Sequence, residues 1–396
     1  MNVLRRLFYL NTNDPHRIFG LDVVRATAVL LVVLGHSDRM LGQHWDYHPV
    51  LKWLFNHLFV FFLDGVDLFF VLSGLLIGSI LIKSIEKSNS FTMSDLVYFW
   101  KRRWYRTLPN YYLILCINVV VWYGIHKQQQ GHFAFNDLWV AQIPKYFLFL
   151  QNLNQPCPPF FVESWSLAIE EWFYLLLPIV IFLLSKASFL SKKQVIALSL
   201  AIFLVFSTGL RFYKISMVAG SLSPFDAGNL YRTTVLTRLD ALMLGVLGAF
   251  ICQYYPVIWR QMRWVAFGVA LVMFYVIRWI TPAEHDVLLQ QDLLLYGLHP
   301  TLLGIAILLL MPLAHSIRQH QGGLIGRGIT YISLVSYSMY LVNLLIIKTI
   351  QHFVRPFYEV NATVELAEYG LFWMVTVLVS VLLYKYVERP IMNLRK

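Results

Sequence analysis

The sequence predicts an all-α polytopic membrane protein of about ten transmembrane helices with both termini cytoplasmic. Three observations predict it. Of 396 residues, 58% are hydrophobic and 13% charged, against about 45–50% and about 25% in soluble domains. Apolar runs of spanning length recur from end to end, with a mean hydropathy of +0.61. Lys and Arg are also unevenly divided between the two sides: with the N-terminus inside, 20 fall at inner ends and 10 outside, while Arg25 and Arg238 lie within helices. That bias sets orientation in membrane proteins. Collagenous, disordered, disulfide-scaffold and ordinary cytosolic-enzyme classes are excluded by the composition.

The runs are taken in order. A spanning helix needs about 20 mostly apolar residues, which places spans at about 21–41, 58–83, 107–126, 165–185, 194–211, 234–253, 263–281, 294–314, 331–351 and 369–387. The first carries Asp22 and Arg25 and lacks a small-residue cleavage site, so it is not a removed signal peptide. A stretch near 139–150 is too short and too Pro-flanked to span. The segment 127–164, with its Gln155-Pro156-Cys157-Pro158-Pro159 turn, reads as a lid or re-entrant loop. Residues 1–396 form one integral-membrane domain in this reading, with no appended soluble domain and no internal repeat of the kind transporters carry.

The net charge of +11 is explained by basic inner loops, so nucleic acid is not an expected partner. Cys116, Cys157 and Cys252 are scattered without metal-ligand spacing, and neither a metal site nor a disulfide framework is expected.

Ionisable groups inside spans mark function by default, because each costs about 2.5–3.5 kcal/mol on insertion. In the first span, Arg25 and His36 are eleven residues apart. Eleven steps of about 100° return to within about 20° of the start, so both lie on one face, about 16 Å apart along the axis. Arg25 alone reads as a snorkelling anchor, and His36 alone as a packed ring; sharing a face weakens both accounts. Histidine is the side chain best suited to take a proton near neutral pH.

The second span opens with Asp64 and Asp67 and carries Ser73 and Gly74 near its middle. Gly74 and Gly78 form a small-xxx-small pair, which serves either close helix packing or room for a ligand chain beside the Ser73 hydroxyl. Lys101, Arg102, Arg103 and Arg106 precede the third span. They suit anionic lipid and equally the phosphates of a cofactor. In the fourth span, Glu170 and Tyr174 are i, i+4 on one face, with Glu163 seven residues earlier. Arg238 and Asp240 in the sixth read as structural partners of other helices.

In this order the segments resemble acyltransferase family 3, the multi-span O-acyltransferases of bacterial surface glycans and lipids. The resemblance rests on the Arg25/His36 pair, GVDLFFVLSG (with Asp67, Phe70, Ser73 and Gly74), KRRWYR (101–106), and WSLAIEEWFY (with Trp165, Ser166 and Glu170). TRLDALMLG, SYSMYL (with Ser336, Tyr337 and Tyr340) and YVERP (with Glu388 and Pro390) complete it. It implies a multi-pass protein of the bacterial inner (plasma) membrane. It also implies a cytoplasmic acyl-CoA donor, most simply acetyl-CoA, and a glycan or lipid-linked sugar acceptor on the outer side. Essential roles are implied for Arg25, His36, the Ser73/Gly74 motif with Phe70, and the basic cluster. Relatives often carry a histidine a few residues after SYSxYL; this chain has Asn343.

Residues and resemblance together give a mechanism as an expectation. Donor phosphates sit on Lys101, Arg102, Arg103 and Arg106, with Arg25 deeper. The thioester reaches His36, which acts as general base, and Glu170 orients or recharges the imidazole. An acyl-His36 intermediate is the variant. The rival class is a transporter or flippase for a polar lipid-linked sugar, which intramembrane Arg, His and Glu also fit. A non-catalytic scaffold leaves the same-face Arg/His pair unexplained.

Overall fold

The computed structural model of the chain describes residues 10, 17–40, 65–87, 91–130, 138–218, 230–280, 293–318, 323–357 and 359–394. Among these there is no strand. In chain order the helices are α1 (Phe19–Ser37), α2 (Gly65–Lys87), α3 (Met93–Gln130), α4 (Leu138–Phe147), α5 (Ser164–Ser185), α6 (Lys192–Val218) and α7 (Leu239–Tyr254). They continue with α8 (Pro256–Gln261), α9 (Arg263–Ile280), α10 (Leu293–Ser316), α11 (Leu324–Thr349), α12 (Ala362–Leu383) and α13 (Arg389–Asn393). Among the described residues, nine helices are long and apolar enough to cross a membrane, by length and composition.

Each expected span corresponds to a helix, with two differences. The sixth is α7, only 16 residues long. A 3-10 turn at Val235–Thr237 precedes it and takes up part of the apolar run, so α7 falls short of the other spans. The third is the middle of a 38-residue helix, so the basic cluster sits in helical turns rather than in a loop. The helix starts early because Thr92 and Asp95 cap it reciprocally: the Asp95 carboxylate accepts from the Thr92 N–H at 2.9 Å and the Thr92 hydroxyl accepts from the Asp95 N–H at 3.3 Å. Pro109 does not break it, as is common for proline in a bundle interior. The stretch near 139–150 forms the ten-residue α4. Asp64 and the beginning of the second span lie outside the described residues.

Local signals explain the other helix starts. Ser191 and Gln194 form a second reciprocal cap before α6, and the Asn361 side chain accepts from the Val364 N–H to open α12. α11 and α12 each end in a π-turn, Ile350–Val354 and Tyr384–Glu388. Such turns insert one residue into the helical register and frequently accompany functional sites.

The chain divides into two compact units. The first comprises Met1–Val66, Arg102–Pro144 and Gln319–Lys396; the second comprises Asp67–Lys101 and Lys145–Arg318. In the first, α1 packs along α11, and α11 along α12. Their core is formed by Ala28, Val29 and Val33 of α1 and by Leu341, Leu344 and Ile347 of α11, all buried. In the second, α5, α6, α7, α9 and α10 pack together. There α2 meets α7 backbone to backbone: a Cβ on Gly74 would lie 1.9 Å from the Leu242 carbonyl oxygen, and one on Gly245 2.1 Å from that of Val71. No residue but glycine fits such a crossing.

Candidate active site

In the first unit the polar groups follow α1. At its start Asp22, 4% exposed, accepts from Arg17 Nε at 2.9 Å and from the Ser333 hydroxyl at 2.7 Å. Arg25 lies one turn on, with Nη1 3.9 Å from Asp22. Arg17, Arg106, Asp22 and Glu388 are the charged groups that act on it. Of these groups, counting Arg25 itself, three are guanidinium and two are carboxylate.

Glu388 faces inward from the π-turn and is buried. It accepts from Asn110 Nδ2 at 3.3 Å and from the Ser338 hydroxyl at 3.2 Å. Asn110 is fully buried, and its own carbonyl oxygen has no hydrogen-bond partner. On α3, Arg102 and Arg106 are one turn apart, with Arg103 beside them. Arg102 is exposed, while Arg103 and Arg106 are half-buried. Tyr337 ties this stretch to α11 by donating to the Thr107 carbonyl at 2.7 Å.

At the other end of α1, His36 Nδ1 lies 2.6 Å from Asn343 Oδ1. Asn343 is fully buried, and its Nδ2 donates to the Met339 and Tyr340 carbonyls at 3.0 and 2.6 Å. Next to it the Ser37 hydroxyl lies 3.4 Å from the Tyr369 hydroxyl. Between Arg25 and His36 the same face carries Val29, Val32 and Val33, all buried. The single helix expected from the eleven-residue spacing is therefore present, and its Arg/His face is turned into the protein.

The second unit holds the remaining candidates. Tyr174 donates to Glu170 Oε2 at 2.6 Å, so its oxygen accepts from Ser73, also at 2.6 Å. The result is a chain from Ser73 through Tyr174 to the Glu170 carboxylate. Phe70 is fully buried, edge-on to Trp165 and under the Arg238 guanidinium. With Gly74 in the α2–α7 crossing, Phe70 and Gly74 are in packing contact, and of these three only Ser73 is half-buried and offers a hydroxyl. Lys101 is exposed on α3.

Arg238 pairs with Asp67, and Asp240 with Arg211, as the structural reading of Arg238 and Asp240 expects. Arg211, one of the ten basic residues that the charge count assigns to the outer side, is instead fully buried, because α6 runs on to Val218 and carries it inside against Asp240, Thr301 and the Gly297 carbonyl. In the segment before α5, burial and the neighbouring Cys157 and Glu163 push the Tyr146 phenol far above its usual range, so it remains a donor to the Pro158 carbonyl.

The structure thus gathers Arg25, Arg17 and Ser333 around Asp22, sets His36 against Asn343, and links Glu170 to Ser73 through Tyr174. Asn343 was not among the residues the sequence singled out to orient the imidazole. What the sequence did offer was a polar amide in the middle of an apolar run seven residues after Ser336.

An acyltransferase domain family model matches residues 18–385. O-acetyltransferase OatA of Staphylococcus aureus strain NCTC 8325 is 29% identical over 406 residues, covering 96% of this chain and 58% of its own length. The "Putative peptidoglycan O-acetyltransferase YrhL" of Bacillus subtilis strain 168 is 34% identical over 181 residues, 43% of this chain and 24% of its own. The chain therefore spans under two thirds of these curated relatives. No solved structure matches it.

Proposed function

The chain belongs to acyltransferase family 3, and on that premise we propose that it is an O-acyltransferase moving an acyl group, most simply acetyl, from acyl-CoA to a hydroxyl of a surface glycan or glycolipid. The name of one relative, the Bacillus subtilis protein, favours peptidoglycan among the acceptors. One observation carries the reading: Arg25 and His36 occupy one inward face of α1, a cation-rich cluster at one end and a hydrogen-bonded imidazole at the other.

The donor enters from the cytoplasmic side, where the positive-inside bias puts the start of α1. Its phosphates bind Arg102, Arg103 and Arg106, with Lys101 contributing from the exposed face, and Arg25 holds the anion deeper in. His36 takes the proton of the acceptor hydroxyl as the new C–O bond forms and the C–S bond breaks. The proton then passes to the departing thiolate. General-base catalysis of this kind is worth about 10²–10⁴-fold. Ser73, Tyr174 and Glu170 form a separate hydrogen-bonded chain within the second unit.

The test is His36→Ala in purified protein reconstituted with radiolabelled acetyl-CoA and cell-wall glycan. CoA release and glycan labelling are expected to vanish while donor binding persists. Intact transfer would overturn the reading, and donor binding without CoA release in the unaltered protein would favour a flippase.

A further inference from the structure

We propose that Asn343 is a positioning residue that fixes His36 in one tautomer, with the proton on Nδ1 and the lone pair on Nε2. The proposal rests on the reading of His36 as the general base and deepens it by saying which nitrogen does the work.

The hydrogens of the Asn343 amide decide the tautomer. Asn343 Nδ2 carries two, and both are committed to backbone oxygens of its own helix, Met339 at 3.0 Å and Tyr340 at 2.6 Å. A flipped amide would aim its carbonyl oxygen at those two carbonyl oxygens, acceptor against acceptor, in a fully buried position where an unmade hydrogen bond costs about 1–3 kcal/mol. The amide orientation is therefore decided by the helix rather than by the imidazole. That leaves Oδ1 facing His36 Nδ1 at 2.6 Å. A carbonyl oxygen only accepts, so Nδ1 must donate. Neutral imidazole holds one ring proton, and with that proton on Nδ1 the lone pair is on Nε2.

Two consequences follow for the reaction. Nε2 is the atom that receives the acceptor hydroxyl proton and later returns it to the thiolate. The Nδ1 proton stays in place throughout, so the imidazolium formed in transit donates at Nδ1 to Asn343 and at Nε2 to the leaving group. In catalytic triads the partner at the corresponding nitrogen is a buried carboxylate; at Nδ1 of His36 it is the Asn343 amide.

The tautomer is read directly by nitrogen-15 NMR of histidine-labelled protein, with the His36 signals identified by their disappearance in His36→Ala. The unaltered protein is expected to show a protonated Nδ1 and an unprotonated Nε2 at a pH where His36 is neutral. Asn343→Leu, similar in size but without an acceptor, is expected to show the opposite tautomer or a mixture, and to lower kcat by about 10²-fold, the low end of what a positioned base contributes, with the donor KM unchanged. An Nε2-protonated His36 in the unaltered protein overturns the proposal, as does an unchanged tautomer in Asn343→Leu. Because the first measurement needs no variant at position 343, misfolding of Asn343→Leu does not protect the idea. If His36→Ala retains transfer, the reading of the base fails; if it is inactive while the tautomer is wrong, only the role of Asn343 fails.

Discussion

Gly74→Ala separates the two meanings a small-xxx-small pair can have. The added methyl would sit 1.9 Å from the Leu242 carbonyl oxygen and 2.8 Å from its carbon. Ordinary contacts of this kind begin beyond 3 Å, so α2 and α7 would have to separate by more than 1 Å where they cross. The obstacle is backbone, held by the helical hydrogen bonds of α7, and cannot rotate away as a side-chain tip would. The reciprocal site has no slack either, since a Cβ on Gly245 would lie 2.1 Å from the Val71 oxygen and 2.6 Å from the Leu75 nitrogen. Overpacking of this order costs about 1–3 kcal/mol. The expected outcome is a fall of several degrees in the unfolding temperature of detergent-purified protein, followed by tryptophan fluorescence or fluorescence-detected chromatography. Whatever protein remains folded should keep an unchanged donor KM. An unaltered melting temperature with a raised donor KM would refute the packing argument and restore Gly74 as clearance for a ligand chain.

Two further outcomes are expected. Arg102→Ala with Arg103→Ala should raise the donor KM by about tenfold, equivalent to about 1.4 kcal/mol, on the order of one charge-assisted hydrogen bond; a donor titration that does not move would assign the cluster to anionic lipid. Asp240→Asn should destabilise the second unit by about 3–5 kcal/mol, because it strands the buried Arg211 charge. The double change Arg211→Met with Asp240→Leu should recover much of that loss in the same melting assay, and a double variant as weak as the single one would show that the pair itself is not the source.

Hydropathy made the spans legible because the cost of exposing backbone and polar groups to lipid leaves a run of apolar residues whatever the packing partner is. Helix ends were less legible. Capping by Thr92 and Asp95 extends α3 well before its apolar part, and a 3-10 turn shortens α7; both are decided by a few side-chain or backbone bonds that hydropathy averages away. The Arg25/His36 face was readable because helical periodicity is local. The partners were not. Asn343 meets His36 from 307 residues away, and Ser333 meets Asp22 from 311. Pairings at that separation depend on which helices adjoin, and no spacing rule encodes this. Arg211 was misplaced for the same reason: at the end of an apolar run a buried arginine and a surface one look alike until the carboxylate opposite is known.

The degree of satisfaction distinguishes the ionisable groups that hold this protein together from those available for chemistry. Arg211 is saturated: Nε donates to Gly297, Nη1 to Thr237 and Asp240, and Nη2 to Asp240 and Thr301, while Thr301 also donates to Asp240. A group so enclosed has no capacity for a ligand, and its worth lies in the loss incurred when one partner is removed. Arg25 is in a different position. The carboxylate beside it, Asp22, is 3.9 Å away and already accepts from Arg17 and Ser333. Two more guanidinium groups bear on it, and Glu388, which partly offsets them, is itself shared with Asn110 and Ser338. Arg25 is half-buried, and among the described residues the carboxylate beside it is already engaged, so its guanidinium has capacity for an incoming anion. At His36 the Nδ1 partner is the neutral amide of Asn343. On these grounds the saturated Arg211–Asp240 pair of the second unit is scaffold, and Arg25 and the amide-held His36 of the first are where the proposed donor binding and proton transfer would fall.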